Sequence, residues 1–338
     1  MSVKRDITIE EPDEKIDSTL RPQSWGEYIG QEKIKKNVKV MIDAAKERKE
    51  APDHLLFYGN AGLGKTSLAY LIARELNSNI KITSGPAIEK TGDLAALLTS
   101  LSEGDVLFID EIHRVCKTIE EYLYPAIEDF RLNIVLGKGP MARTLELNLP
   151  HFTLIGATTR VGLVSPPLRS RFGGVFQLNF YEDAELEKIL RRSADILGVK
   201  IEPSALNILA RSSRFTPRIA NNLLKRVRDF AQVEGRGIIT KDIVQESLGF
   251  LEIDKLGLGP SDRRLLGILI NKFQGGPVGL KSLAAASAEE EDTILNLYEP
   301  YLMQLGLVER TTQGRVATKT AYEHLNIKWQ QDQQFYLL

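Results

Sequence analysis

The sequence predicts an α/β fold with a parallel sheet, then a small all-helical segment, then a C-terminal winged helix. Three observations predict it. Short apolar runs alternate with helical segments between His54 and Tyr181. Past Tyr181 the pattern becomes helical throughout. Three further helices and a two-stranded turn close the chain.

Taken in order, residues 1–19 read as a solvated arm. A helix is expected from Gln31 to Arg48, with Ile34, Val38, Met41, Ile42 and Ala45 on one face. Its lysines, Lys33, Lys35, Lys36 and Lys39, read as a solvated face rather than a DNA site. The runs HLLFYG, NIKIT, DVLFID, FTLIGA and GVFQLNF have strand length and suit a buried parallel sheet. Between two of them, RLNIVLGKGPMARTLELNLP carries strand-like halves around Gly137–Lys138–Gly139–Pro140, a hairpin pattern. In the helical segment, Thr216–Pro217 opens one helix and Gly235 closes it. GFLEIDKLGLG reads as a linker. In the last segment, Ser287 with Glu290 forms a capping-box pattern. Ile294, Leu297, Tyr298, Tyr301, Leu302 and Leu305 then share a face, with a kink expected at Pro300. LVERTTQGRVAT follows as the wing. The expected domains are 1–182 (hairpin about 131–149), 183–254 and 255–338.

Length and composition set outer bounds. A chain of 338 residues suits two or three domains, and 43% hydrophobic with 26% charged residues argues against disorder. A net charge of -1 means that any nucleic-acid surface has to be local. One cysteine, Cys116, excludes an internal disulfide framework. The N-terminus lacks the apolar core of a secretory signal, and no run reaches the length of a membrane span. A cytoplasmic protein is expected.

The chemistry lies in two motifs. Gly59-Asn60-Ala61-Gly62-Leu63-Gly64-Lys65-Thr66 fits G-x-x-x-x-G-K-[ST], placed between a strand and a helix. Its glycines let backbone N–H groups cradle phosphate oxygens, and the helix N-terminus adds a positive dipole end. Lys65 is expected on the β- and γ-phosphates, and Thr66 on Mg²⁺, with Gly62, Gly64 and Ser67 also at the nucleotide. The second motif is Val106-Leu107-Phe108-Ile109-Asp110-Glu111. Its carboxylates end a buried strand, where open α/β sheets place ligands. Asp110 is expected to hold Mg²⁺, and Glu111 to polarise the attacking water. His113 and Cys116 follow, but phosphoryl transfer needs positioning and charge rather than a nucleophile, so neither is assigned a chemical role. In LIGATT, Thr158 or Thr159 is a candidate γ-phosphate sensor. Arg169 and Arg171 are candidate arginine fingers, and Arg218 is a candidate to reach the phosphates from the helical domain.

These motifs, in the order phosphate loop, LFIDEIH, LIGATTR, PLRSRFG and TPRIANNLLKRVRDF, resemble AAA+ ATPases. With LRPQSWGEYIGQE, EKTGDLAALLTSLSEGD, YPAIEDFRLNIVLGKGP, EPYLMQLG and GRVAT, the chain resembles the RuvB family of Holliday-junction branch-migration motors from Leu20 to about Leu325. The resemblance implies ATP and Mg²⁺ as cofactors. Leu20, Arg21 and Tyr181 would border the adenine, and Glu128, Asp129 and Phe130 would lie near the nucleotide. Arg171 would be a finger acting in trans, and Arg218 the second sensor. The hairpin Ile134–Leu147 would contact RuvA, and Arg310 and Arg315 would contact DNA from the wing. A hexameric ring, RuvC as a further partner, branched double-stranded DNA, recombination, repair and the SOS response come with the family.

The sequence departs from that family at Thr311-Thr312-Gln313-Gly314-Arg315, where T-P-R-G-R is usual, and at Asn222, where an arginine is usual. The tail NIKWQQDQQFYLL matches no motif. The third C-terminal helix starts Glu289-Glu290-Glu291-Asp292, which repels phosphate and is unsuited to reading bases. Contact with DNA is therefore expected to be independent of sequence. Two rivals to a DNA motor remain: a clamp-loader or initiator-type switch, and a winged-helix regulator on an ATPase scaffold. An intact Glu111 and an available Arg171 count against the regulator.

Overall fold

The five apolar runs pair in parallel in the computed structural model, which describes residues 19–136, 143–234 and 237–329. The N-terminal arm before Thr19, the Gly137–Pro140 turn, Gly235 and the tail beyond Trp329 lie outside the described residues. The chain forms two compact units that meet between Tyr181 and Glu182.

The first unit opens with α1 (Glu32–Arg48) and β1 (Leu55–Tyr58). It continues with α2 (Lys65–Glu75), β2 (Ile80–Ser84), α3 (Thr91–Thr99), β3 (Val106–Asp110) and α4 (Lys117–Glu128). The antiparallel pair β4 (Arg131–Leu136) and β5 (Arg143–Asn148) follows, then β6 (Thr153–Thr158), α5 (Pro166–Arg169) and β7 (Gly174–Gln177). Strand order is β2-β3-β6-β1-β7. The register sets Tyr58 beside Thr158 and Ile109 beside Gly156. The carboxyl ends of β1, β3 and β6 therefore share one edge of the sheet, and both motifs hang from it.

Burial explains the pattern. Leu56, Phe57, Leu107, Phe108, Leu154 and Ile155 are fully enclosed, each contributing roughly 1.5–3 kcal/mol by leaving water. The edge strands differ from the expected buried sheet: Ile82 of β2 and Val175 of β7 are exposed. An edge strand has one neighbour and only partial cover. In α1, Ile34, Val38, Ile42 and Ala45 are buried as the period requires, whereas Met41 is only partly so.

His54 pins the opposite end of the sheet. Its Nδ1 accepts the Leu154 N–H at 2.9 Å, which leaves Nε2–H to donate to the Ile127 carbonyl at 2.8 Å. Burial lowers its pKa, so the neutral ring that this arrangement needs is favoured.

The second unit packs α6 (Asp183–Ile196), α7 (Pro203–Arg211), α8 (Pro217–Val233) and α9 (Lys241–Phe250). One strand pair was not expected there: β8 (Lys200–Ile201) and β9 (Ile238–Ile239) run parallel. Two-residue pairings leave too short a period to see in sequence. The expected linker is also packed. Leu258 is fully buried, and Asp254 Oδ1 accepts the N–H groups of Leu256 and Leu258 at 2.9 and 3.0 Å. Ahead of α8, Arg214 and Phe215 are both left-handed, with φ of 51° and 56°. Arg214 donates to Asp262 at 2.9 Å and lies over the Tyr301 ring, which Phe215 also touches.

The unit ends with α10 (Pro260–Asn271), α11 (Leu280–Ser287), α12 (Glu291–Thr293), a π-helical turn (Ile294–Tyr298), α13 (Glu299–Gln304), the wing strands β10 (Val308–Arg310) and β11 (Arg315–Ala317), and α14 (Lys319–His324). The capping-box expectation at Ser287 is corrected. Ser287 ends α11 and donates to the Leu283 and Ala284 carbonyls, and left-handed Ala288 turns the chain before the next helix, which starts after Glu290 with no side-chain cap. Pro300 has no N–H to continue the helix, and the widened turn lies just before it. That turn swings Leu297 off the shared face. Leu297 is 52% exposed while Ile294, Tyr298, Tyr301 and Leu302 are buried.

Candidate nucleotide site

The loop after β1 turns on Gly59, Gly62 and Gly64, with φ of 141°, 81° and 95°. A Cβ at Gly59 would lie 2.6 Å from the Leu178 carbonyl oxygen, and one at Gly64 2.8 Å from Tyr28 Oη. Only glycine fits at these two positions. Lys65 opens α2. It is 8% exposed, and its Nζ donates to the carbonyls of Gly59 and Asn60 at 2.7 and 2.8 Å, across the loop. Thr66 and Ser67 follow, both half-buried.

Two tyrosines brace this loop from behind. Tyr28 Oη donates to the Leu63 carbonyl at 3.4 Å, and Tyr181 Oη to the same oxygen at 3.2 Å. Burial, with Tyr181 beside it, pushes the Tyr28 hydroxyl well above its usual pKa, so it stays a donor. Tyr28 was missed in the sequence, where a lone tyrosine in a turn has no periodicity to mark it. Leu20 is buried nearby in the chain, and the Arg21 guanidinium lies 4.0 Å over the Tyr70 ring of α2.

Asp110 ends β3, and its Oδ1 accepts the Glu111 N–H at 2.9 Å. Glu111 is left-handed (φ 47°), a strain on the order of 1 kcal/mol. Gly85 permits this turn, since a Cβ there would lie 2.4 Å from the Glu111 carbonyl oxygen. The Glu111 carboxylate meets Arg114 at 3.0 Å in an exposed pair, which costs little to release. Thr66 and Asp110 supply hard oxygen donors of the kind that suit Mg²⁺. Among the described residues, no three His, Cys, Asp or Glu gather to hold a metal. A Mg²⁺ held by these two residues would draw its other ligands from phosphate and water.

The paired threonines separate. Thr158 is fully buried, and its Oγ1 accepts the Arg160 N–H at 2.9 Å and meets His113 Nδ1 at 2.8 Å. Burial lowers the His113 pKa, so the ring that shares this hydrogen bond with Thr158 is favoured in its neutral form. The Thr158 hydroxyl is thus engaged within the protein, whereas Thr159 is half-buried and makes no side-chain hydrogen bond among the described residues.

Arg169 is exposed at the end of α5. Arg171 is docked instead. It donates to Glu128 at 3.0 Å and to the Pro167 carbonyl at 2.7 Å, and its guanidinium lies 4.5 Å over the Tyr124 ring. Its Nε–H is buried and without a partner. Glu128 and Asp129 are exposed. Phe130, left-handed at φ 52°, packs between His151 and Phe152 at the hairpin base. Arg218 is exposed in the first turn of α8. The wing arginines share one buried acid. Arg310 and Arg315 each donate two bonds to Glu299, which is 2% exposed. The Arg315 side chain is 12% exposed and that of Arg310 49%.

Comparison with known proteins agrees with this architecture along the chain. Residues 20–178 match the Holliday junction DNA helicase RuvB P-loop domain, 181–254 the RuvB AAA lid domain, and 255–326 the RuvB C-terminal winged helix domain. A Holliday junction branch migration complex subunit RuvB from Dehalococcoides mccartyi is 58% identical over 320 residues, covering 95% of this chain and 92% of that protein. Its counterpart from Chloroflexus aggregans is 57% identical, covering 93% and 90%. The solved RuvB Holliday junction branch migration motor of Thermotoga maritima superposes with a TM-score of 0.85 at 49% identity, covering 92% of this chain and all of that one (100%). With a phosphate loop, a paired acid strand, a helical lid and a winged helix in that order, the chain belongs to the RuvB family of AAA+ P-loop ATPases.

Proposed function

We propose that the protein hydrolyses ATP to ADP and phosphate to drive branch migration of Holliday junctions in recombination and repair, as a cytoplasmic hexameric ring working with RuvA and, during resolution, RuvC. The observation that carries this reading is the meeting of the glycine loop, Asp110–Glu111 and the threonine-ended β6 on one sheet edge, in a chain whose three segments match the three RuvB domains. Lys65 and the loop bind the phosphates, and Thr66 and Asp110 hold Mg²⁺. Glu111 orients the water and takes its proton. With the Thr158 hydroxyl engaged by His113, Thr159 senses the γ-phosphate and Thr158 holds the strand end in place. Arg171 acts on the neighbouring subunit's site, with Glu128, Asp129 and Phe130 around it. Arg218 is the second sensor, and Leu20, Arg21 and Tyr181 border the base. The hairpin docks RuvA: Ile134 and Leu147 pack on the core, but Leu145 is exposed.

A synthetic four-way junction tests this. The protein with RuvA and ATP should separate it into duplexes, and a non-hydrolysable ATP analogue should not. Equal separation with the analogue would make the protein an assembly switch instead.

On the wing, Arg310 is the better placed phosphate contact, and Arg315 the more structural one. Arg310→Ala should weaken binding to unrelated duplexes alike and lower the salt slope by roughly 1. Gln313, exposed at the wing tip, should raise that slope by a similar amount as Gln313→Arg. DNA affinity measured against salt reads both. A loss confined to one duplex would indicate base readout.

A further inference from the structure

The helix α4 presents Glu120, Tyr124 and Glu128 at four-residue spacing, one stripe of a helix. Each meets the segment that carries Arg171. At one end, Ser165 Oγ donates to the buried Glu120 carboxylate. The same Ser165 caps α5 by accepting the Leu168 N–H at 3.2 Å. At the other end, Glu128 binds the Arg171 guanidinium. Between them stands Tyr124. Its ring lies under the Arg171 guanidinium, and its hydroxyl is tied to Glu120 Oε1 and Ser165 Oγ, both at 3.3 Å.

We propose that Tyr124 is a positioning residue for Arg171: its ring is the platform that holds the guanidinium in the orientation presented to a neighbouring subunit. The proposal rests on the reading of Arg171 as a finger acting in trans. The physics favours this role. An arginine is a long side chain with several rotamers, and a finger needs one of them. Two hydrogen bonds fix the guanidinium edge, and the ring fixes its plane through cation–π attraction. The ring itself cannot swing, because its hydroxyl is held at the far end by Glu120 and Ser165. One buried carboxylate thus orders both the platform and the helix cap. Glu128 alone would not suffice, since it is exposed and its pair with Arg171 is open to solvent.

The test is steady-state ATP turnover of the DNA-bound assembly, with co-assembly and thermal unfolding checked for each variant. Tyr124→Leu should lower kcat about tenfold, the rate equivalent of a partly desolvated cation–π contact, and leave the KM for ATP within about twofold. Tyr124→Phe keeps the ring but loses its tether, and its rate should fall between those of the native protein and Tyr124→Leu. In an Arg171→Ala background, Tyr124→Leu should cost nothing further, because the platform then has nothing to hold. If Tyr124→Leu fails to fold, Tyr124→Met is read against the same expectations. A normal kcat for Tyr124→Leu beside a collapsed Arg171→Ala would overturn the proposal while sparing the finger. So would an equal further loss in the double variant, the mark of a general packing role, or a Tyr124→Phe as slow as Tyr124→Leu. Normal turnover by Arg171→Ala would remove the finger reading itself, and the platform with it.

Discussion

Glu111→Gln should bind ATP about as tightly as the native protein and hydrolyse it roughly 10²–10⁴-fold more slowly. Binding is assigned in the proposed mechanism to the glycine loop and Lys65, whose Nζ already spans that loop. In the proposed mechanism the Glu111 side chain serves the water. Glutamine has the same shape, so the left-handed turn at this position is undisturbed, and the lost pair with Arg114 is exposed and worth under about 1 kcal/mol. What disappears is a base able to take a proton. Titration with a fluorescent nucleotide measures the first half of the prediction and phosphate release the second. A native rate would mean that another group activates the water.

Glu299→Ala should destabilise the winged helix by about 3 kcal/mol or more. Glu299 is buried under the wing and accepts from two guanidinium groups. Its pull raises the Arg310 pKa further. Removing it leaves Arg315 enclosed beside a second cation with nothing to balance either. Arg310 is half-exposed and can turn to water, but Arg315 cannot. The readout is near at hand, because Trp329 packs edge-on against Tyr322 of α14. In a Trp25→Phe background its fluorescence follows this segment during denaturant unfolding. Replacing Glu299, Arg310 and Arg315 together with apolar residues should recover much of the loss, since no buried charge then stands alone. A midpoint for Glu299→Ala unchanged from the native value would mean that the cluster contributes nothing to folding.

The catalytic motifs were legible because their chemistry fixes residue type and spacing together. A glycine loop between strand and helix, and two acids at the end of an apolar strand, are written in local sequence. The five strands were legible for the same reason, as was the wing. What stayed hidden depends on partners far along the chain. LIGATT offers two hydroxyls, and only His113, on a different segment, distinguishes Thr158 from Thr159. Glu299 read as one more polar residue on a kinked helix, because its partners lie 11 and 16 positions away across the wing. Ser287 had the spacing of a capping box, but its hydroxyl turned back to its own helix, a competition that sequence does not settle. Tyr28 and Tyr124 lie in segments that carry the family resemblance, but no local spacing assigns either a role. Their roles arise from what the fold sets against them.

The connector between the helical lid segment and the winged helix contains no slack. Asp254 folds it on itself, Leu258 is sunk in the core, Tyr301 donates to the Leu256 carbonyl, and Arg214 grips Asp262. A loose tether would act as a spring: thermal motion would absorb a push before it reached the wing. A packed joint acts as a bracket. In the proposed motor, torque applied to the helices would reach the wing instead of being absorbed in the joint. Under that reading, stiffness at residues 251–259 would set how much of each stroke becomes movement of DNA and how much is lost as heat.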